Sequence, residues 1–330
     1  MKKVISLILS LTMIAALLCG CGASEPAQTP TGFTDNYKIA IIQQLDHSSL
    51  DEIRTAVEAQ LKALAEAKGV GVTFTYDNGQ NDTSMLSQIA TQVVSEKPDM
   101  IIPIATLAAQ YAVTAAEGTN IPIVYAAISD PESAGLTGIP TVTGVSDALN
   151  TPFILDMMLS AQPDIQTVGL LYSNSEINSA TPIAEAKAYL DAKGIAYVEK
   201  TGTTSGEIIE ATASMVGLVD AVFTPTDNAV MAAEASVAEL LNAAGIPHYT
   251  GADSFVLSGA FTTCGVNYTE LGAKAADMAF DILMGGAIGD FHVMEGGIIT
   301  VNTDTAAVCG IDYSVFSTLA NTVNEVTTAE

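Results

Sequence analysis

The polar side chains of this sequence that could do chemistry gather in short clusters, each following an apolar run. Gln43, Gln44, Asp46, His47 and Ser48 follow Ile42; Thr106 follows Ile104, with Gln110 one helical turn further on. Asp130 comes after the run ending at Tyr125, and Asp147 after the run ending at Val145. In the second half, Ser173-Asn174-Ser175-Glu176-Ile177-Asn178-Ser179 follows Tyr172, Thr226-Asp227-Asn228 follows Phe223, and Asp253 follows Tyr249.

These residue types suit reversible capture. The carboxylates could receive an ammonium group, with Asp130 preferred over Asp147, and the amides, hydroxyls and His47 imidazole could donate or accept hydrogen bonds. Thr106 opens a helix whose free N–H groups can hold a carboxylate without any arginine. Structural duties compete for the same residues: Asp46, Ser48 and Asp227 are good N-caps, and Asp130-Pro131 is an ordinary turn pair. Candidate ligand-binding residues are therefore Gln43, His47, Thr106, Gln110, Asp130, Asp147, Glu176, Asn178, Ser179, Thr226, Asp227, Asn228 and Asp253.

Turnover finds no support. There is no G-x-x-x-x-G-K-[ST] loop, no G-x-G-x-x-G after the first strand, no G-x-S-x-G elbow and no S-x-x-K. His47, His248 and His292 form no H-x-x-x-H pair, so neither a metal nor a cofactor is expected. The expected mechanism is binding with lobe closure.

Composition narrows the ligand. The formal net charge is -26 with 11 Lys plus Arg, which leaves no electrostatic footprint for nucleic acid. Arg54 is the only arginine, so a ligand with several phosphates or carboxylates would lack bidentate forks. The absence of Trp weakens a sugar reading, in which aromatic stacking is common.

The elements that must position these residues alternate strand and helix. Strands are predicted at 38–42, 70–76, 100–104, 121–125 and 141–145, with helices at 49–68, 83–96 and 107–117 between them. A helix at 152–161 leads into a second series, with strands at 167–172, 195–199, 221–223 and 247–249 and helices at 178–192, 206–215 and 229–243. Later elements are a strand at 261–266, a helix at 268–284 and a strand at 297–301; the polar stretch from Thr318 is expected to fray at its end. Such alternation predicts parallel sheets covered on both faces.

The design occurs twice. Pro98-Asp99 before one apolar run and Val219-Asp220 before another lie 121 positions apart, and Ala67-Lys68-Gly69 recurs as Ala192-Lys193-Gly194. A repeat this long is a domain duplication, giving two Rossmann-like α/β lobes joined by a hinge, with strand-end loops facing one cleft. Lobe 1 is expected over 37–144 plus about 267–296, and lobe 2 over 145–266 plus about 297–330.

Lys2 and Lys3 followed by an apolar run and Leu18-Cys19-Gly20-Cys21 read as a secretory signal over 1–20. Its end resembles the bacterial lipoprotein signal, which implies lipidation of Cys21 and anchoring on the extracytoplasmic face of the membrane, with 21–36 a flexible tether. Cys264 and Cys309 would then remain, expected as free thiols.

Several stretches together resemble the solute-binding lipoproteins of ABC transporters, specifically the tryptophan and tyrosine uptake group. They include Ile-Ile-Gln-Gln-Leu-Asp-His-Ser-Ser-Leu-Asp (41–51), Ile-Ala-Thr-Leu-Ala-Ala-Gln (104–110), Ala-Ile-Ser-Asp-Pro (127–131) and Gly-Val-Ser-Asp (144–147). Tyr-Ser-Asn-Ser-Glu-Ile-Asn-Ser (172–179), Pro-Thr-Asp-Asn (225–228) and Val-Asn-Tyr-Thr-Glu-Leu-Gly (266–272) follow, and Leu107 stands where proline is common. The resemblance implies a type I periplasmic-binding fold, an amino acid ligand with aromatics favoured, an ABC permease and its ATPase as partners, and a monomer. The alternatives are a sugar or nucleoside carrier, or a ligand-sensing subunit of a membrane signalling system.

Overall fold

The structure, a computed structural model, describes residues 35–329, so the signal segment, Cys21 and most of the tether lie outside the described residues. The chain enters through β1 (Asn36–Gln43), α1 (Ser48–Lys68), β2 (Gly71–Asn78), α2 (Thr83–Ser95), β3 (Met100–Ile104), α3 (Thr106–Ala115), β4 (Ile123–Ala126) and β5 (Val142–Ser146). After α4 (Thr151–Ala161) come β6 (Thr167–Tyr172), α5 (Ala180–Lys193), β7 (Ala196–Thr201), α6 (Ser205–Ala213), β8 (Ala221–Thr224), α7 (Asn228–Met231), α8 (Glu234–Ala243), β9 (His248–Thr250), α9 (Asp253–Leu257) and β10 (Thr262–Gly265). The last elements are α10 (Tyr268–Leu283), β11 (His292–Val293), β12 (Ile298–Asn302), α11 (Thr303–Cys309) and β13 (Thr322–Val326).

The strands build a six-stranded sheet, β11-β5-β4-β3-β1-β2, and a seven-stranded sheet, β13-β12-β10-β9-β8-β6-β7. Both contain the same doubly wound order, β2-β1-β3-β4-β5 and β7-β6-β8-β9-β10, with parallel pairing inside each. The antiparallel exception among the described residues is β10 with β12. The duplication reaches individual hydrogen bonds. Asp99 Oδ2 accepts from the Lys38 N–H at 2.7 Å, and Asp220 Oδ2 accepts from the Gln166 and Thr167 N–H groups at 2.8 and 2.9 Å. Gly69 and Gly194 close α1 and α5 with φ of +76° and +70°, the left-handed conformation in which glycine carries no Cβ penalty.

Period-two alternation divides each sheet between two cores. Ile39 and Ile41 pack with Ile53, Val57 and Leu61 of α1 and Leu271, Ala275 and Ala279 of α10, while Ala40 and Ile42 pack with Leu86, Ala90 and Val93 of α2. In the second sheet, Val168 and Leu170 face Ile154, Leu155 and Met158 of α4 and Ile183 and Leu190 of α5. Helices on both faces explain why the central strands are nearly continuous apolar runs.

Three sequence expectations change. The helix expected over 229–243 is interrupted between α7 and α8, where Glu234 turns into the core and its Oε1 meets His248 Nδ1 at 3.0 Å. The helix expected from Asn178 begins at Ala180, after a 3-10 turn at Ile177–Ser179. The C-terminal stretch forms β13 beside β12; as an edge strand it is exposed or half-buried throughout, so no apolar alternation marks it. Cys264 and Cys309 are free thiols, the first buried and the second half-buried.

Gly272 sets the approach of α10 to α1, since a Cβ there would stand 2.5 Å from Ile53 O and 2.8 Å from Ala56 Cβ. Gly272→Val is expected to lower stability by about 1–3 kcal/mol, read as a lower urea midpoint at unchanged slope. Gly206 of α6 has open space around its Cβ direction, so Gly206→Ala should raise stability by about 0.4–1 kcal/mol. Unchanged midpoints for Gly272→Val would show that the helices can part without cost.

Candidate ligand-binding cleft

Where strand order reverses in a doubly wound sheet, helices leave neighbouring strands on opposite faces and the loops between them open a crevice. That point lies between β1 and β3 in one sheet and between β6 and β8 in the other. The loops leaving these four strands carry His47, Thr106, Asn178 and Thr226-Asp227-Asn228, and the two crevices face each other. Asp147, just beyond β5, completes the polar wall, and Leu50, Met231, Phe255 and Tyr268 supply apolar surface. The cavity between these loops is about 30 Å³.

Hydrogen bonds cross the cleft from one sheet's loops to the other's. Ser129 Oγ and Thr226 Oγ1 lie 2.8 Å apart, Ser49 Oγ donates to Asp253 Oδ1 at 3.0 Å, and Thr181 Oγ1 donates to Asp130 Oδ2 at 2.6 Å. Gln44 Nε2 donates to Glu176 Oε1 at 2.8 Å, and His47 Nε2 stands 3.4 Å from Asn228 Oδ1. Buried polar atoms at the cavity also lack partners, namely His47 Nδ1, Asn178 Oδ1 and Ser254 Oγ.

The carboxylates differ in how much of their hydrogen-bonding capacity is already used. Asp227 caps α7 through Val230 N–H at 2.9 Å and also accepts from Ser173 N–H and Ser179 Oγ, both at 2.7 Å. Asp147, 5% exposed, accepts from Ser129 Oγ at 3.0 Å and, at a long 3.5 Å, from Tyr268 Oη. Burial without a cation pushes Asp147 up to about 6. Burial holds the His47 pKa down at about 4 despite the Asn228 hydrogen bond and the Asp51 and Asp46 carboxylates, so the imidazole is neutral. Among the described residues, no Lys or Arg lines the cavity.

Other sequence candidates lie off the cavity. Gln43 ties the following loop together through Leu45 O, Asp46 and Asp51, and Gln110 Nε2 donates to Ala134 O at 3.0 Å. Asp130, preferred from sequence over Asp147, is saturated by Ser133 and Thr181 outside the cavity. Ser179 is engaged by Asp227, and Asp253 by Ser49. Glu176 lies behind the wall, between Gln44 and Asn228. Ser129, Tyr268, Met231 and Phe255 also line the cavity with little signal in the sequence: Ser129 adjoins Asp130 in the same short motif, and Tyr268 has only its helix-opening position.

Ala105 and Ala127, which follow β3 and β4 and line the cavity, have φ of +73° and +59°. Ala105, with ψ of 163°, occupies a region essentially reserved for glycine. It turns the first N–H groups of α3, which lack intrahelical acceptors, toward the cleft; one of them, Leu107 N–H, is taken by Gln44 Oε1 at 3.0 Å.

Facing switch-point crevices, hydrogen bonds across them and a small polar wall define a two-lobed binding protein of the type I periplasmic-binding class. The chain belongs to the ABC transporter substrate binding protein family, whose profile matches residues 38–321. A tyrosine-binding protein of Clostridioides difficile (strain R20291) is 32% identical over 316 residues, 92% of this chain and 91% of that one. The structure of an ABC domain in complex with L-Trp from Streptococcus pneumonia is 29% identical with a TM-score of 0.82, covering 88% of this chain and 100% of the other. A ligand-free, open substrate-binding protein with adhesive properties from Clostridium difficile is 31% identical with a TM-score of 0.67, covering 89% and 100%. The protein is a binding protein, not an enzyme, and substrate-binding proteins of ABC transporters are extracytoplasmic. No helix of the described residues is long and apolar enough to cross a membrane.

Two stability effects follow from this wall. Asp147 binds its proton more tightly folded than unfolded, so its ionisation removes stability as pH rises from about 4 to about 6. Asp147→Asn should therefore exceed the wild type in urea midpoint above pH 6, by about 1–3 kcal/mol, and converge with it near pH 4. Ala105→Gly should release backbone strain and raise stability by about 1 kcal/mol in the same assay. A destabilised Ala105→Gly would mean that the conformation costs nothing.

Proposed function

We propose that this protein captures an aromatic L-amino acid between its lobes and delivers it to an ABC permease and its ATPase. The observation that carries the reading is the unsaturated Asp147 carboxylate in a wall with no Lys or Arg. A ligand ammonium would give that buried charge its missing partner and return it to the ionised form. The ligand carboxylate would be held by the first turn of α3 near Thr106, with neutral His47, Thr226, Asn178 and Asn228 as hydrogen-bonding partners. Leu50, Met231, Phe255 and Tyr268 offer apolar surface to an aromatic side chain.

The choice of an aromatic ligand is supported by the tyrosine-binding and L-Trp-bound relatives. Closure as the mechanism is supported by the higher TM-score to the L-Trp complex than to the open, ligand-free structure, at similar identity. The lobes divide near residues 144 and 266, with 267–296 returning to the first; Cys21 carries the lipid that anchors a monomer to the outer face of the membrane.

Thermal shift and calorimetry against amino acids, sugars and nucleosides test this reading. L-Tyr or L-Trp should raise the melting temperature, because a ligand that binds only the native state stabilises it by mass action. Asp147→Asn should weaken that binding by about 10- to 100-fold, the cost of losing a charge-assisted hydrogen bond. Stabilisation by sugars or nucleosides alone would overturn the ligand class, and tight binding by Asp147→Asn would remove Asp147 from the site.

A further inference from the structure

We infer that Glu176 is the positioning residue for cleft closure, taking up a proton as the lobes meet and latching them as a neutral carboxylic acid; this rests on the interlobe cleft being the ligand site. Glu176 follows β6 and is 3% exposed. Its Oε1 accepts from Gln44 Nε2 of the opposite lobe at 2.8 Å, and its Oε2 accepts from Asn228 Nδ2 of its own lobe at 2.9 Å. It does not line the cavity, so its part in binding runs through other groups.

Every direct partner is an amide. Gln44 is itself oriented by Leu107 N–H at 3.0 Å and by Asn81 Oδ1 at 2.8 Å, and Asn228 leads on to the neutral His47. The charged group facing Glu176 is Asp227, fully buried and also acidic, and none of the salt bridges among the described residues involves Glu176. A carboxylate in this position has been taken out of water beside a like charge and given no cation, so the protonated form is favoured. When the lobes part, Gln44 leaves with its own lobe and Glu176 regains water. The closed state therefore holds the proton more tightly than the open one, in keeping with a Glu176 pKa raised to about 7 by burial and by Asp227.

The proton has a path into the network. A solvent proton adds to Oε2, which then donates to Asn228 Oδ1 once that amide turns over; Asn228 Nδ2 donates in turn to His47 Nε2, which changes tautomer. His47 Nδ1, unpartnered and at the cavity, becomes a donor. Closure is thus favoured as pH falls from about 7 toward the ordinary range of glutamate, while Asp147, needed as a carboxylate, opposes binding below about 6.

Calorimetry with L-Tyr and L-Trp in buffers of different ionisation enthalpy measures the proton directly. The wild type should take up a fraction of a proton per ligand near pH 7, and its affinity should fall several-fold from pH 6.5 to 8. Glu176→Gln, which keeps the shape and presents a neutral group, should show no uptake at pH 7 and an affinity flat over that range. A wild type without uptake, or a folded Glu176→Gln whose affinity drops equally at every pH, overturns the proposal while leaving the ligand site intact. If neither amino acid binds, small-angle scattering of the unliganded protein still decides. Compaction from pH 8 to 6 in the wild type but not in Glu176→Gln supports the latch, and pH-independent dimensions in both refute it.

Discussion

The structure depends on one constraint of parallel sheets covered on both faces. Their backbone groups are spent on neighbouring strands and their side chains on two layers of helix, so polar side chains can collect only at the strand ends. Strand-order reversal then decides which ends remain uncovered. Because the same order occurs in both halves, two uncovered crevices exist, and the crossings after β5, β10 and β11 turn them toward each other. The hydrogen bonds made by Asp99 and Asp220 at the starts of β1 and β6 show that this duplication is kept at atomic detail.

Within the cleft, competition for hydrogen bonds separates scaffold from site more cleanly than residue type does. Asp130, Asp227 and Asp253 are carboxylates with donors already supplied by turns, caps or the opposite lobe. Asp147 is the carboxylate of the cavity wall that retains capacity, and its shifted pKa has the same cause, burial with hydroxyl and backbone partners but no cation. Glu176 is shifted for a further reason, the neighbouring Asp227. In a chain of net charge -26, the cavity wall carries amides and hydroxyls and, among the described residues, no Lys or Arg.

Much of this was legible in the sequence. Apolar runs locate the buried strands within a few residues, though not the exposed β11, and they give β3 its observed bounds because a fully buried central strand has a sharp boundary at each end. The loops carrying His47, Thr106, Asn178 and Thr226-Asp227-Asn228 were read from their place after such runs. What escaped depended on tertiary partners. The α7–α8 break follows from Glu234 reaching His248, and β13 has no pattern because neither of its faces is buried deeply. Asp130 and Asp147 look alike in sequence; only Ser133 and Thr181, around the first, separate them.

Strain and latch meet at α3. The backbone of Ala105 is held in a glycine-like conformation by the β3–β4 pairing, through Ala105 N–H to Ala126 O at 3.0 Å, and this aims the start of α3 at the cleft. The amide of Leu107 in that same turn fixes Gln44, and Gln44 reaches Glu176 across the lobes. A proline at 107 would keep the helix start but remove the donor, leaving Gln44 free to turn away. The first turn of α3 and the hydrogen bond between the lobes are therefore joined through one side chain, Gln44.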